Sequence, residues 1–357
     1  MKLLVVDAWL PTPNIDSASQ RMCNLLGLLR EFGEVTFAAD DFAARPSGWK
    51  AIQGLDVRVE TPPVSVREHL EQFANSYDAI FLSRVTVAGA HLATARQCAP
   101  QARIVFDTTD LAYMRGFRGA KVTGNRNLLL QAVESKATEL AADMTLVVSA
   151  AEQKMLGRDC PEARVRIVSN IHEVYPSTRP FQDRGGIVFI GAFSHHPNVD
   201  AMEFFCKDIL PDVREQLGDV KITIAGGQPP QWLQDMRNEQ FVVAGWVLDI
   251  GTLLSECRVL MAPVRYGAGV KGKVLLSMGY GVPVVGMSIA GEGIPARTRR
   301  EIMIADDAVS FADALGEAYR DELLWNTLVL ARRGESCAHR FVSRLGVELD
   351  ACIGALM

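Results

Sequence analysis

Short runs of apolar, often β-branched residues alternate with stretches of helical periodicity along most of this 357-residue chain. The strand-like runs include residues 3–6, 79–82 and 103–106 in the first half, and residues 187–192 and 220–225 in the second. Strands that alternate with helices are typical of parallel, doubly wound α/β sheets, because each helix carries the chain back across one face of the sheet. This alternation limits the possible folds more than any other feature of the sequence.

The alternation breaks near residue 170 and begins again near residue 187. Two prolines and a Gly-Gly pair make the intervening stretch the best candidate for a linker. The length is comfortable for two domains. We therefore predict two Rossmann-like α/β domains, residues 1–172 and residues 183–338, joined by a linker at residues 173–182.

Net charge, cysteine spacing and the length of apolar runs limit the partners and the cellular compartment that we expect for this protein. The formal net charge of −5 gives no strongly basic surface, so nucleic acid is not an expected partner. The seven scattered cysteines have no metal or redox spacing and are typical of reduced thiols in a cytosol. No apolar run reaches the length of a signal peptide or a membrane span, so we expect a cytoplasmic protein. Peripheral association with the inner membrane stays open, although no strongly basic amphipathic helix indicates it.

Residues 261–287 read MAPVRYGAGVKGKVLLSMGYGVPVVGM, a pattern of strand, glycine loop, helix and strand. Lys271 and Lys273 lie at the end of the glycine loop, where the helix begins. A helix N-terminus offers unpaired N–H groups and a partial positive charge, and glycines let an anionic group approach the backbone. The segment therefore predicts a diphosphate site, as for an activated nucleotide. The alternative is a glycine-rich connection with two solvated lysines, since the spacing is neither Walker A nor the dinucleotide fingerprint.

This segment resembles the donor-binding segment of GT-B-fold glycosyltransferases in the retaining family-4 group, written P-x-R-Y-G-A-G-x-K-G-K-x-L-E-A and then G-x-P-V-V. The matching residues are Pro263, Arg265, Tyr266, Gly267, Ala268, Gly269, Lys271, Gly272, Lys273, Leu275, Gly281, Pro283, Val284 and Val285. The resemblance implies two Rossmann-like domains that face each other across a cleft, with the nucleotide-sugar donor on the second domain. It also implies that a helix at residues 341–357 packs back on the first.

Three further segments resemble the donor domain of this family. The first is IVFIGAFSHHPNVDA, which resembles F-x-G-x-[FY]-x-x-x-P-N-x-D-[AG]. The second is GWVLDIGTLL, which resembles G-[FWY]-V-x-D-[LI]-x-x-L-[LY]. The third is GMSIAGEGI, which resembles V-G-A-E-G-[LI]. His195 and His196 stand where many members carry Arg and Lys, and we infer that Lys271 and Lys273 supply that charge. The residues expected to bind the donor are Gly191, Phe193, Ser194, Trp246, Val247, Tyr266, Gly267, Ala268, Gly269, Val270 and Glu292. A solvated turn for the two histidines, a helix cap for Asp249 and a structural loop carboxylate for Glu292 are the alternatives.

Two positions depart from the family pattern. Retaining members usually carry two glutamates around the glycine loop, and the second binds the ribose hydroxyls. In this chain the second position is Leu276, which accepts no hydrogen bond, and the first is Ala268, as in many relatives. Losing a carboxylate at the ribose costs roughly 1–3 kcal/mol of affinity. Either Glu292 or a backbone group replaces it, or donor binding is weak or lost.

The first half resembles the acceptor side of the same enzymes. Its opening segment is VDAWLPTPNIDSASQRM, which resembles D-x-x-x-P-x-P-x-x-D-x-[AG]-S-x-R. A later segment is RIVFDTTDLAYMR, which resembles [IV]-x-[YF]-D-T-x-D-L-H-x-x-R. In this second segment Ala112 stands in place of the histidine. The residues expected to bind the acceptor are Asp16, Ser17, Ser19, Arg21, Asp107 and Arg115. Asp110 is expected to orient an acceptor hydroxyl and joins Lys271 and Lys273 as a catalytic candidate. Helix capping and turn formation are the alternative roles.

The resemblance implies a retaining glycosyltransferase of polysaccharide biosynthesis. The donor would be a UDP-, GDP- or dTDP-sugar, and the acceptor a glycan, a lipid-linked or another hydroxyl compound. Neither a cofactor nor a metal is implied, since the lysines would stabilise the leaving diphosphate. The alternative is a degenerate, non-catalytic binding protein, which Leu276 and Ala112 favour. A nucleotide-dependent oxidoreductase is disfavoured because no predicted strand is followed by G-x-G-x-x-G.

Overall fold

The computed structural model describes residues 1–330 except residues 14, 140, 171–174 and 176–178. The chain divides into two compact units, with the division after residue 171. The C-terminal helix predicted at residues 341–357 lies outside the described residues, as do five of the ten residues of the predicted linker. Within the described residues, no helix is both long enough and apolar enough to cross a membrane.

The first unit contains one seven-stranded parallel sheet in the order β3-β2-β1-β4-β5-β6-β7. Its strands are β1 (Lys2–Asp7), β2 (Glu34–Ala39), β3 (Arg58–Val59), β4 (Ala79–Ser83), β5 (Arg103–Asp107), β6 (Met144–Val147) and β7 (Val165–Ile167). Its helices are α1 (Ser17–Leu29), α2 (Trp49–Gln53), α3 (Val66–Phe73), α4 (Val85–Cys98), α5 (Ala112–Thr123), α6 (Arg126–Glu139) and α7 (Ala150–Asp159).

Both faces of this first sheet are buried. Leu3 and Val5 of β1 belong to one hydrophobic cluster, and Leu4 and Val6 belong to another. Successive side chains of a strand point to opposite faces, so a strand buried on both sides reads as one continuous apolar run. This is why the strand-like runs of the sequence lack a polar alternation.

The second unit contains a six-stranded parallel sheet in the order β10-β9-β8-β11-β12-β13. Its strands are β8 (Ile187–Ile190), β9 (Ile222–Ala225), β10 (Phe241–Gly245), β11 (Val259–Ala262), β12 (Val284–Gly286) and β13 (Met303–Ile304). Its helices are α8 (His196–Phe204), α9 (Leu210–Leu217), α10 (Gln231–Asp235), α11 (Ile250–Glu256), α12 (Gly272–Gly279), α13 (Ser288–Gly291), α14 (Ala308–Arg320) and α15 (Glu322–Leu330). The core of this unit includes Phe189, Phe205, Phe241 and Phe311.

One predicted helix differs in the structure. The periodicity predicts a single helix from residue 197 to about residue 217, but a π-helical turn, Phe205–Ile209, separates α8 from α9. Pro211 lies in the first turn of α9. Proline has no N–H to donate and clashes with the preceding helical turn, so a wider turn upstream accommodates it.

The fold prediction is confirmed, because both units are doubly wound parallel sheets with helices on their faces. In each sheet the strand order reverses at the first strand of the unit, between β1 and β4 and between β8 and β11. Open α/β sheets bind ligands outside the carboxyl ends of the strands at such a reversal. The carboxyl edges next to β1 and β8 are therefore where functional residues are expected.

Candidate functional site

The glycine loop joins β11 to α12 at the carboxyl edge of the second sheet. Strand, loop and helix occur in the predicted order, and Lys271 is the N-cap residue of α12. The side chain of Lys271 does not cap the helix. Its Nζ donates instead to the carbonyl oxygens of Ala268 at 3.1 Å and Gly269 at 2.7 Å. Gly269 has a φ of +72°, a left-handed conformation that glycine adopts at little cost and that folds the loop back toward Lys271.

Lys273 lies in the first turn of α12 and turns toward β8. Its Nζ donates to Asn198 Oδ1 at 2.5 Å and lies 4.4 Å from the centroid of the Phe189 ring. Burial and the neighbouring charge of Lys271 lower the pKa of Lys273 to about 7. An anion bound beside Lys273 would favour the charged ammonium and relieve this destabilisation. The start of α12 thus combines two lysines with a helix N-terminus, an arrangement that attracts anions.

Asn198, in the first turn of α8, links the β8 turn to Lys273. Its Nδ2 donates to the Ala192 oxygen at 2.7 Å while its Oδ1 accepts from Lys273. A Cβ atom built on Gly191 would lie only 2.7 Å from Asn198 Cγ, so this position requires glycine. The predicted donor residue Gly191 therefore serves the site by giving Asn198 room to hold Lys273.

A second polar link joins α8 to the glycine loop. Arg265 Nε donates to Asp200 Oδ2 at 2.9 Å, and Arg265 Nη2 pairs with Asp200 Oδ1. The guanidinium also lies 5.0 Å from the centroid of the Phe204 ring. Asp200 is buried, so this pair fixes the loop on α8. The Pro-Asn-x-Asp sequence that opens α8 thus anchors the loop through its amide and its carboxylate.

The strand ends beside the loop are joined by backbone hydrogen bonds. The Gly191 N–H donates to Ala225 O at 2.9 Å, Phe193 N–H to Gly227 O at 3.0 Å, and Gly226 N–H to Gly245 O at 2.7 Å. These bonds align the ends of β8, β9 and β10 along one edge. Glycines dominate this edge, which leaves backbone groups accessible to a ligand.

The other predicted donor residues differ in exposure. Phe193 and Tyr266 are buried, so their side chains offer little surface to a ligand. Ser194 is exposed, Val247 is half-buried and Trp246 is 53% exposed. Val270 is also buried. Trp246 and Val247 follow β10, which is two strands away from β8 in the sheet. The helix α12 follows β11, which lies directly beside β8. Trp246 and Val247 are therefore farther from the end of β8 than the start of α12 is.

Glu292 follows α13 at the end of the neighbouring strand β12. It is half-buried. The α13 helix approaches the loop, since a Cβ built on Gly267 would lie 3.8 Å from Ile289 Cγ2. Leu276, at the usual place of the ribose-binding glutamate, is also half-buried and lies one turn after Lys273 on α12. Leu276 therefore lies on the same side of α12 as Lys273, and Glu292 follows the helix that approaches the loop.

At the carboxyl edge of the first sheet, Arg21 and Asp107 form a buried ion pair. Arg21 Nη1 lies 2.7 Å from Asp107 Oδ2, and the two side chains are 3% and 1% exposed. Arg21 also donates twice to the Val168 oxygen, and Ser83 Oγ donates to Asp107 Oδ2 at 2.7 Å. Asp107 Oδ1 has no hydrogen-bond partner among the described residues. These two predicted acceptor residues are thus brought together in the interior.

A second group of charges surrounds Trp9 at the same edge. Arg45 lies 4.3 Å and Arg84 lies 4.7 Å from the centroid of the Trp9 ring. Arg84 Nε donates to Asp7 Oδ1 at 2.6 Å, and Arg45 pairs with Asp16. Burial raises the pKa of Asp7 although Arg84 opposes the shift. Burial also favours a higher pKa for Asp16, but hydrogen bonds from Arg45 and the Ser19 N–H outweigh it and lower the pKa.

The remaining predicted residues of the first unit surround two helix starts. Asp16 caps α1 by accepting from the Ser19 N–H at 2.7 Å, and Ser17 is the first residue of that helix. Arg115, in the first turn of α5, pairs with Asp110. The cap expected from Ser17 or Ser19 is therefore supplied by Asp16, whereas the predicted capping role of Asp249 on α11 is confirmed, since it accepts from the Thr252 N–H at 3.0 Å.

Sequence reasoning missed five residues that shape these edges. They are Trp9, Arg45, Arg84, Asn198 and Asp200. The last two carried a signal, because the Pro-Asn-x-Asp motif was recognised without a role for its polar side chains. Arg45 and Arg84 carried none, since their partners lie 29 and 77 residues away in the sequence. Among the described residues, no group of three or more His, Cys, Asp or Glu side chains is placed to hold a metal ion.

Comparisons with known proteins give a family match for the second unit. Residues 184–321 match the family model described as glycosyl transferases group 1. A stretch of 136 residues is 26% identical to an uncharacterized 44.6 kDa protein in the cps region of Klebsiella pneumoniae, and the match spans 35% of this chain and only 35% of that relative.

The structure is similar to solved proteins over nearly its whole length. A sucrose-phosphate synthase of Thermosynechococcus elongatus is 14% identical, with 99% of each chain covered and a TM-score of 0.73. Anabaena HepE, solved with UDP and glucose, is 14% identical, with 99% of this chain and 100% of that chain covered and a TM-score of 0.72. At these identities the likeness establishes the fold. Residues 184–321 thus match glycosyl transferases group 1, and glycosyltransferases of the GT-B fold are among the structural neighbours of the chain.

Proposed function

We propose that this protein is a glycosyltransferase that uses a nucleotide-sugar donor and retains the configuration of the transferred sugar. The acceptor would be a hydroxyl group of a glycan or a lipid-linked compound in polysaccharide biosynthesis. The observation that carries the proposal is the position of Lys273, which Asn198 holds at the start of α12 beside the carboxyl end of β8. A diphosphate placed there would contact two lysines and the N-terminus of one helix.

The reaction needs stabilisation of a departing diphosphate. The bond between the anomeric carbon and the β-phosphate oxygen breaks, and the diphosphate leaves with the electron pair. The acceptor oxygen bonds to the anomeric carbon, and its proton passes to the departing phosphate oxygen. Lys273 and Lys271 would neutralise the developing charge, which is the electrostatic contribution that preorganised cations make. We propose that no metal ion is required, since two ammonium groups supply the charge.

The other residues have supporting roles in this proposal. The backbone at Gly191 to Ser194 and the loop from Tyr266 to Val270 would contact the diphosphate and the sugar. Trp246 and Val247 would approach the base, and Glu292 the ribose or the sugar. The acceptor would bind at the carboxyl edge of the first sheet, where Asp110 and its ion-pair partner Arg115 lie near the start of α5.

The test of this proposal is a thermal-shift screen with UDP, GDP and dTDP, followed by the corresponding nucleotide-sugars. A ligand that binds only the folded protein stabilises it by ~2.7 kcal/mol at a concentration of about 100 Kd. We expect a clear rise of the melting temperature with one of the three, and UDP is the first choice because HepE was solved with UDP. If all three leave the melting temperature unchanged, the proposed donor site is wrong.

Leu276→Glu should increase affinity for the nucleotide. Residue 276 follows Lys273 by one helical turn on α12, so a carboxylate there would lie beside the ligand held by Lys273. A hydrogen bond from a ribose hydroxyl to a carboxylate contributes ~1.5–3 kcal/mol, so we expect roughly tenfold tighter binding by isothermal titration calorimetry. Leu275→Glu is the matched control, because residue 275 is also half-buried and points away from Lys273.

The result also shows where the ribose lies, whereas an assay of sugar transfer separates the two candidate functions. A gain with Leu276→Glu but not with Leu275→Glu would mean that the ribose lies beside residue 276 and that this chain binds its donor with one contact fewer. Unchanged affinity in both variants would mean that the ribose lies elsewhere. A non-catalytic binding protein, which Leu276 and Ala112 favour, predicts nucleotide binding without sugar transfer.

A further inference from the structure

The carboxyl edge of the first sheet holds buried polar atoms that the described part of the chain does not satisfy. Among the described residues, Asp7 Oδ2, Trp9 Nε1 and Arg84 Nη2 are buried and have no hydrogen-bond partner. Buried polar atoms in folded proteins nearly always have a partner, so several such atoms together indicate a ligand or ordered water. The donor site proposed on the second unit uses none of these three residues, which we call the Trp9 cluster.

The three residues of the Trp9 cluster lie next to one another. Arg84 Nε donates to Asp7 Oδ1 at 2.6 Å, and the Arg84 guanidinium lies 4.7 Å from the centroid of the Trp9 ring. Asp7 is the last residue of β1, and Arg84 follows β4 directly. The strand order of the first sheet reverses between these two strands, which is where open α/β sheets bind ligands. The cluster is therefore at the expected ligand position of the first unit.

The backbone of Arg84 is strained. Its φ of +74° and ψ of 147° belong to a region that glycine adopts readily and other residues rarely adopt. Such strain persists only where the surrounding structure enforces it, and it concentrates at functional sites. The strained conformation carries the guanidinium to Asp7 and Trp9, so the fold gives up some stability to place this side chain.

The charges around the cluster balance, which favours an uncharged ligand. The atoms without a partner are two donors, on Trp9 and Arg84, and one acceptor, on Asp7. A hydroxyl group both donates and accepts, so neighbouring hydroxyls satisfy both kinds of atom. A phosphate or carboxylate would satisfy the donors but bring its charge beside the Asp7 carboxylate, which repels it. Three arginines already pair with three aspartates at this edge: Arg21 with Asp107, Arg45 with Asp16, and Arg84 with Asp7.

The cluster reaches the surface beside its arginines. The side chains of Arg84 and Arg45 are 18% and 22% exposed, whereas that of Asp7 is 1% exposed. Arg45 lies 4.3 Å from the centroid of the Trp9 ring, so both guanidiniums border this ring. The atoms without a partner have almost no exposed surface of their own. A ligand would therefore reach them as the partly exposed arginine side chains move aside.

We propose that the Trp9 cluster binds the accepting ring of the acceptor, a sugar or a cyclitol, through uncharged hydroxyl groups. Trp9 Nε1 and Arg84 Nη2 would donate to oxygens of the ring, while Asp7 Oδ2 accepts from a hydroxyl. This inference rests on the proposed transferase function and deepens it, because it names the class of acceptor group. It also makes Trp9 and Arg84 specificity-determining residues.

Saturation-transfer NMR on the full-length protein, without nucleotide, tests the proposal. The probes are glucose, galactose, mannose and myo-inositol, together with the corresponding uronates and phosphates. We expect at least one neutral probe to bind with a Kd on the order of 1 mM, as for a small ligand held by a few hydrogen bonds. Its charged counterparts should bind roughly tenfold more weakly or not at all, because the Asp7 carboxylate repels them.

Trp9→Phe is the most informative variant. It keeps an aromatic ring beside the two arginines but removes the Nε1–H, so affinity for the neutral probe should fall about tenfold. The melting temperature should stay the same or rise, because a buried donor without a partner has been removed. A residue with a structural role alone would change the melting temperature and not the affinity.

Arg84→Gly tests the second specificity-determining residue. Glycine adopts the φ of residue 84 without strain and is accepted at a helix N-cap, so the fold persists while the guanidinium is lost. Circular dichroism verifies the fold. Affinity for the neutral probe should again fall roughly tenfold or more.

Two matched controls carry the same chemical changes in the second unit. Trp232→Phe alters a half-buried tryptophan on α10, and Arg299→Gly alters an arginine whose φ is +60°. Both should bind the neutral probe like the unchanged protein. The proposal is overturned if no neutral probe binds or if charged probes bind more tightly. It is also overturned if Trp9→Phe and Arg84→Gly bind as well as their controls, because ordered water alone then fills the cluster.

The two proposals can fail separately. The thermal-shift screen with nucleotides contains no free sugar, and the NMR titration contains no nucleotide. Binding of a neutral probe with no response to any nucleotide would remove the transferase assignment and leave a polyol site in the first unit. A response to a nucleotide with no binding of any neutral probe would remove only the role of the Trp9 cluster.

Discussion

Lys273→Ala should reduce affinity for the nucleotide diphosphate by roughly 100-fold, or ~2.7 kcal/mol. The Lys273 ammonium lies at the first turn of α12, partly desolvated against Phe189 and fixed by Asn198. A charge contact in such a place is strong, since water screens it poorly and its geometry is already set. Isothermal titration calorimetry with the nucleotide that succeeds in the thermal-shift screen measures the loss.

Three further variants show whether the loss of nucleotide affinity is specific to Lys273. Lys271→Ala should have a smaller effect, because Lys271 is engaged with the carbonyls of its own loop. Asp110→Ala, in the other unit, should leave nucleotide affinity unchanged. Lys207→Ala removes a lysine elsewhere in the second unit and should do the same. Equal losses in Asp110→Ala and Lys273→Ala would contradict the assignment of the donor to the second unit.

The pH dependence of donor binding gives a signature that belongs to Lys273. Burial and the charge of Lys271 lower the pKa of Lys273 to about 7 in the free protein, so its ammonium loses its proton as the pH rises above that value. A diphosphate favours the protonated form. Affinity for a nucleotide-sugar should therefore be greatest below pH 7 and fall by up to about tenfold per pH unit above it. Lys273→Arg keeps its charge, so its binding should vary little between about pH 7 and 9.

The glycine-loop region shows how far sequence reasoning reached. The order of β11, loop and α12 was predictable because the apolar run, the glycines and the helical spacing are local signals. The roles of Asn198 and Asp200 were not, because their partners Lys273 and Arg265 lie 75 and 65 residues away. Such contacts depend on which strands become neighbours in the sheet, and no local pattern encodes that.

The first unit shows the same limit of sequence reasoning, here for residues that the motifs did identify. The motif residues Arg21 and Asp107 were recognised, and a ligand-facing role was expected for both. In the structure they bind each other in the interior, 86 residues apart in sequence. A motif marks residues that matter together, but only the tertiary arrangement tells whether a charged side chain meets a ligand or another side chain. This distinction leads to a measurable difference in stability.

Asp107→Ala should destabilise the protein by ~3–5 kcal/mol, because it leaves the Arg21 guanidinium buried without its counter-ion. Ser83 would lose its acceptor as well. Urea unfolding followed by circular dichroism measures the change in midpoint. Asp110→Ala breaks the more exposed Asp110–Arg115 pair and should cost at most ~1 kcal/mol. If Asp107→Ala instead kept full stability and lost only acceptor turnover, Asp107 would serve the acceptor directly, and the buried ion pair would not be what holds this edge of the first sheet.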